Sequence, residues 1–283
     1  MARNKKRKTH KKNSFGTIFA IILAIVTLMI LVSGFVFLKL KSEPLVKIDD
    51  ETLCPEAGAT STTAILLDTT DEISIATTVE IQEQISIIFE SLPRYARLSI
   101  HTVDENGLNV SLLGEVCNPG RLDQMGELER KGFTANPALI KSRYEAFLNE
   151  LKSVTNVLFD AEFQAKESPL LSALQTLSLT LPKPIANEVE KSGRNRIIFI
   201  SDFMEHTDIF SNYRSNLDLP SFKRSRAKEK FGRKYGDVEL EFWMIRRNNK
   251  NFTSSELRHF WMSVFKDEFE SDIDRFTILA GEI

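Results

Sequence analysis

Thr63-Ala-Ile-Leu-Leu-Asp68-Thr-Thr-Asp71 carries a short apolar run that stops on an aspartate, and Arg196-Ile-Ile-Phe-Ile-Ser201-Asp202 repeats the pattern far downstream. Continuous apolar runs bounded by polar residues predict strands buried on both faces, as in a parallel sheet covered by helices. Ligand sites of such sheets lie at the carboxyl ends of the strands, near the point where strand order reverses. Two carboxylates delivered there, with hydroxyls beside them, predict a site for a hard cation.

Working outward from these two runs, the chain alternates strand and helix. Glu72–Leu92 places Ile73, Ala76, Ile81, Ile85, Ile88 and Phe89 near one helical stripe and stops at Pro93. Ala96–Val103 and Leu108–Leu113 flank Asp104-Glu-Asn-Gly107, a hairpin signal. Residues 117–135 look irregular. Helices are expected from Pro137 to about Val157 and over Leu170–Leu179, the second opened by Ser168-Pro169. Residues 203–234 read as a long polar loop containing the basic run Lys223-Arg-Ser-Arg-Ala-Lys-Glu-Lys-Phe-Gly-Arg-Lys234. A strand at Val238–Ile245, a helix at Ser254–Phe269 and a short strand at Phe276–Leu279 close the pattern. The expected fold is a Rossmann-like α/β three-layer sandwich with a mainly parallel central sheet and one hairpin edge.

Charge is segregated along the chain. Residues 1–13 hold seven cations and no acid, so a net charge of −2 for the whole chain leaves −9 for the remainder. An acidic body argues against nucleic-acid binding. Phe15–Leu38 is a run of 24 residues without a charge, long enough to cross a bilayer core, and its end offers a poor signal-peptidase site. We expect a basic arm at 1–14, a transmembrane signal anchor at 15–38 that contacts the lipid bilayer, a stalk at 39–61 and one domain at 62–283. The positive-inside rule puts the N-terminus in the cytoplasm and the domain outside, at a bacterial inner membrane facing the periplasm. Two cysteines, Cys54 and Cys117, permit one disulfide in that compartment, the alternative being two unpaired buried thiols.

The order strand–Asp-x-Thr–helix, hairpin, Ser-Pro-Leu helix and strand–Ser-Asp resembles the von Willebrand factor A (vWA) domain over about residues 62–281. The family's metal-ion-dependent adhesion site has Asp-x-Ser-x-Ser after the first strand, a Thr on a later loop and an Asp after the fourth strand. By that resemblance Asp68 matches the first Asp, Thr70 the first Ser, Ser168 the Thr and Asp202 the last Asp. Glu72 stands where the second Ser belongs, with Asp71 between. The extra acid either fills the position a partner's carboxylate would take or points away and favours the helix N-terminus. The set Asp68, Thr70, Glu72, Ser168 and Asp202 offers oxygens alone, which suits Mg²⁺, Mn²⁺ or Ca²⁺ better than Zn²⁺. Glu205, His206 and Asp208 would follow on the same rim, as contacts or as solvated loop residues.

The function expected is a membrane-anchored extracytoplasmic module that binds or scaffolds an unidentified protein partner, with a divalent cation at a degenerate adhesion site. A metal-dependent hydrolase is the first alternative. Asp68 resembles the nucleophile of the haloacid dehalogenase family, yet Thr70 occupies the place of that family's general acid. A metal-free structural envelope component is the second. No Ser-His-Asp arrangement, G-x-S-x-G or Walker loop is present, so no enzyme is expected. Two further surfaces are weighed: the basic run at 223–234 as a binder of anionic lipid, acidic protein or polyanion, and Trp243 or Trp261 as a contact patch.

Overall fold

A computed structural model describes residues 14–41, 46–103, 110–131, 136–159, 167–185, 193–247 and 251–280. The chain divides into two compact units, Met1–Pro44 and Leu45–Ile283. In the first, α1 (Ser14–Lys41) is long and apolar enough to cross a membrane. The basic arm expected over 1–14 lies outside the described residues except for Ser14.

The second unit opens with a segment at 46–61 that is packed onto the body rather than held off it as a stalk. Leu53 and Cys54 are buried, Cys117 N–H donates to Thr52 O at 2.9 Å, and Cys54 is disulfide-bonded to Cys117. After it come β1 (Thr62–Leu67), α2 (Ile75–Glu90), β2 (Arg97–Val103) and β3 (Val110–Cys117). The hairpin pairing of β2 with β3 is antiparallel, as expected; its predicted turn lies outside the described residues. β3 runs on to Cys117, so that cysteine ends a strand at the start of the stretch expected to be irregular. α3 (Glu127–Arg130), a single turn, and a 3₁₀ turn at Leu122–Gln124 occupy the stretch expected to be irregular.

Next are α4 (Pro137–Phe159), α5 (Leu170–Thr180) and β4 (Asn195–Ser201). The expected polar loop at 203–234 is in fact folded into three short helices, α6 (Asn212–Ser215), α7 (Leu219–Lys223) and α8 (Arg226–Phe231). Phe203, Phe210, Phe222, Ala227 and Phe231, scattered among polar residues, are all buried and anchor it. β5 (Val238–Met244), α9 (Ser254–Ser263, prolonged by a π-helical turn at Val264–Glu268) and β6 (Arg275–Ile278) complete the unit.

The sheet order is β3-β2-β1-β4-β5-β6, parallel except for β3. β1 is buried at every position, which explains its unbroken apolar run. One face holds Ile65, Leu67, Ile198 and Ile200 against Ile81, Ile85 and Phe89 of α2 and Phe147 of α4. The other holds Ala64, Leu66, Phe199 and Phe242 against Leu170, Leu174 and Leu177 of α5, Phe222 and the aromatic side of α9. Trp243 and Trp261 belong to these cores. They are buried, so neither forms a surface contact patch.

Candidate functional site

From β1 the chain proceeds outward through β2 to β3, and from β4 it proceeds the other way through β5 to β6. The order therefore reverses between β1 and β4, and the carboxyl ends of these two neighbours meet at one edge of the sheet. Asp68 and Asp202 are the residues just beyond those ends. Asp68 is fixed by its own N–H, which donates to Ile200 O at 2.9 Å.

The Asp68 carboxylate is buried, and both of its oxygens accept hydrogen bonds. Its Oδ1 accepts the Thr70 N–H at 3.0 Å, and its Oδ2 accepts the Ser201 hydroxyl at 2.8 Å and the Ser168 hydroxyl at 3.3 Å. Asp202 is also buried; its Oδ1 accepts the Met204 N–H at 2.9 Å, and its Oδ2 lies 3.8 Å from Arg247 Nε. Burial pushes the Asp202 carboxyl up to about 7, with the negative charge of Asp68 adding to the rise and Arg247 opposing it. Burial raises Asp68 too, against the hydrogen bonds from Thr70, Ser201 and Ser168. Two acids therefore stand side by side where the low dielectric penalises a second negative charge.

The segment after Asp202 holds an unusual backbone. Phe203 has φ of +60°, a left-handed conformation that L side chains rarely adopt. Ser201 Oγ accepts the Phe203 N–H, and Trp261 Nε1 donates to Phe203 O at 2.8 Å. Further on, His206 and Ser168 exchange backbone hydrogen bonds at 2.9 and 3.0 Å, which ties this segment to the entry of α5.

Asp68, Thr70, Ser168 and Asp202 thus gather at the switch point. Glu72 is exposed and makes no hydrogen bond or ion pair with a described residue. Its neighbour Asp71 is the acid whose charge reaches Asp202 and Tyr213. α2 is capped by Ser74, whose Oγ accepts the Thr77 N–H, so neither Thr70 nor Asp71 serves as the cap. Glu205 is not a rim residue: it is completely buried, and its Oε2 accepts the Leu171 N–H at 3.0 Å while Thr207 Oγ1 donates to Oε1 at 3.2 Å. Burial pushes its carboxyl up to about 8. His206 pairs with Ser211 at 2.9 Å, and Asp208 is exposed.

Ser201 and Arg247 are the members that sequence reading left out of the site, and Glu205, expected on its rim, is buried instead. Ser201 could have been found, because it abuts Asp202 on the strand that pairs with β1. Glu205 and Arg247 lie in stretches whose polarity resembles that of solvated loops. Among the described residues, no group of three or more His, Cys, Asp or Glu side chains forms a metal-binding cluster. A cation here would draw on two carboxylates supplemented by the hydroxyls of Thr70, Ser168 and Ser201.

No protein-family model matches the chain, and the search of curated proteins finds no match. Among solved structures the chain is similar to a von Willebrand factor type A protein from Catenulispora acidiphila, at 12% identity and a TM-score of 0.40, over 78% of this chain and 39% of that one. The chain spans about two fifths of the length of that protein. The fold described above rests on strand order and register, not on this superposition.

Proposed function

We propose that the chain is a membrane-anchored, extracytoplasmic module that binds or scaffolds a protein partner and takes a divalent cation at the β1/β4 switch point. The observation that carries this reading is the pairing of two buried carboxylates, Asp68 and Asp202, with hydroxyls of Thr70, Ser168 and Ser201 close by. Like charges in a dry site are relieved by a cation, and an all-oxygen donor set suits Mg²⁺. Asp68 and Asp202 would supply the charge, and Ser168, Ser201 and Thr70 would orient Asp68. A bound Mg²⁺ would offer an acidic side chain of the partner an electrophilic anchor. The length of α1 and the cations ahead of it support a single span with the body outside. The Cys54–Cys117 bridge supports an oxidising compartment such as the periplasm.

Arg247 favours a second reading. Its guanidinium already lies beside Asp202 and would partly replace a metal, leaving a metal-free scaffold. Calorimetric titration of Mg²⁺ and Mn²⁺ into the detergent-solubilised chain separates the two. Saturable binding that is lost in an Asp68→Ala, Asp202→Ala double variant supports the cation site; a folded chain that binds neither ion selects the metal-free scaffold.

A further inference from the structure

We propose that α7, α8 and the turn that follows them form a cationic face that lies against anionic phospholipid headgroups. Residues 223–234 hold seven cations and one acid, within a body (residues 46–283) whose net charge is −10. The structure sorts these cations into two groups. Lys223 and Lys228 reach the carboxylate of Glu268 at 2.8 and 3.7 Å, and Lys228 also donates to Glu268 O at 3.0 Å. Both are used to fasten the helices to the π-helical turn after α9.

Arg224, Arg226, Lys230, Arg233 and Lys234 have no such use. None makes an ion pair with a described residue, and all but the half-buried Arg233 are exposed. The Lys230 ammonium and the Arg233 guanidinium lie 5.1 and 5.3 Å from the ring centres of Phe231 and Tyr235, contacts that hold the charges in place without giving them a carboxylate partner. Acids stand near the group, Glu229 within it, Asp218 close to Arg224, Asp267 close to Lys223 and Asp237 next in sequence, yet none of them forms an ion pair with these five cations among the described residues.

The scaffold under these charges is fixed. Phe222, Ala227 and Phe231 are buried, and Asp218 and Ser225 cap the two helices by accepting the N–H groups of Ser221 and Lys228. The cations are spread along residues 224–234 instead of converging on one point, which suits an array of headgroups better than a single phosphate. Holding the body near a bilayer raises the effective concentration of such an array, so a weak attraction per cation becomes a lasting contact. The inference rests on the membrane reading of α1.

The test uses the full-length chain in nanodiscs of phosphatidylcholine alone and of phosphatidylcholine with about a third phosphatidylglycerol. Amide hydrogen exchange over 219–234 is expected to slow about threefold or more in the anionic discs only. High salt should abolish the difference. So should an Arg224→Glu, Arg226→Glu, Lys230→Glu variant, whereas the matching Arg224→Lys, Arg226→Lys variant should keep it. Equal exchange in both discs by an inserted chain overturns the proposal. So does protection by soluble polyglutamate without protection by lipid, which points to an acidic protein. A chain that enters neither disc defeats the anchor reading and this proposal together.

Discussion

Glu205 ionises at about 8 because burial strips water from its carboxylate, and the hydrogen bonds from Leu171 and Thr207 only partly offset that loss. An exposed glutamate ionises near 4.5, so between 4.5 and 8 the folded chain holds more protons than the unfolded one. Stability contributed by this group is fully present below the lower value and is lost as pH rises through the upper one. Asp202, raised to about 7, acts in the same direction. We therefore predict that the melting temperature of the chain without divalent cations falls as pH is raised from 6 to 9. Glu205→Gln keeps an acceptor for the Leu171 N–H and should flatten that slope. Glu205→Leu leaves the N–H unpaired and should cost about 1–3 kcal/mol at pH 6, measured by chemical denaturation. Asp68 and Asp202 were legible in the sequence because each ends an apolar run. Glu205 was named only as a rim residue and its burial was not legible, because a buried acid satisfied by the Leu171 N–H and the Thr207 hydroxyl leaves no pattern in its neighbours. Arg247 was missed for a related reason: its partner Asp202 is 45 residues away in sequence and only the β4–β5 pairing brings them together.

At the scale of elements, the sheet was legible, as were the helices at α5 and α9, and the rest of the covering of that face was not. Strands such as β1 announce themselves because both their faces are buried and every residue is apolar or small. Segment 203–234 hides its helices, because each is shorter than two turns and offers only one or two buried anchors to a 3.6-residue period. Those anchors still matter for stability. Phe222 is fully buried and packs edge-on against Phe210 and Phe260, at 5.0 and 6.0 Å between ring centres. Phe222→Ala should destabilise the body by about 3–5 kcal/mol in urea unfolding, a cost that no solvated loop would carry. The disulfide belongs to this scale as well. Cys54 and Cys117 are 63 residues apart, and replacing both by Ala should remove about 2–4 kcal/mol by freeing a long loop in the unfolded chain. A change under 0.5 kcal/mol would mean that backbone pairing alone, such as Cys117 N–H to Thr52 O, holds the segment in place.

For the whole molecule, the strand order puts two buried carboxylates at the β1/β4 reversal of the sheet, which carries cores on both faces. That burial links any cation to protons, since the ligands must be ionised before they can coordinate. With Asp202 titrating at about 7, Mg²⁺ affinity should be about tenfold lower at pH 6 than at pH 8, with proton release on binding that varies with pH in calorimetry. Saturating Mg²⁺ should raise the melting temperature most at the alkaline end, where the unliganded chain is weakest. A pH-independent affinity would place the ion elsewhere on the chain.

The bond between Cys54 and Cys117 also decides where mechanical tension enters the body. A pull applied ahead of Cys54 is carried across the sulfur bridge into β3, an edge strand, and bypasses the stretch that leads into β1. β1, the strand that positions Asp68, is then spared the load. Once the bridge is reduced, the same pull runs straight into Thr62 and draws on β1 between its two parallel neighbours. The 63-residue separation also stays out of reach of the force while the bridge holds, so the fully stretched oxidised chain is shorter by about 220 Å than the reduced one. An extension step of that size appearing only after reductant, in single-molecule pulling from the N-terminal side, would show that the bridge works as a tether for the site as well as a staple for the fold.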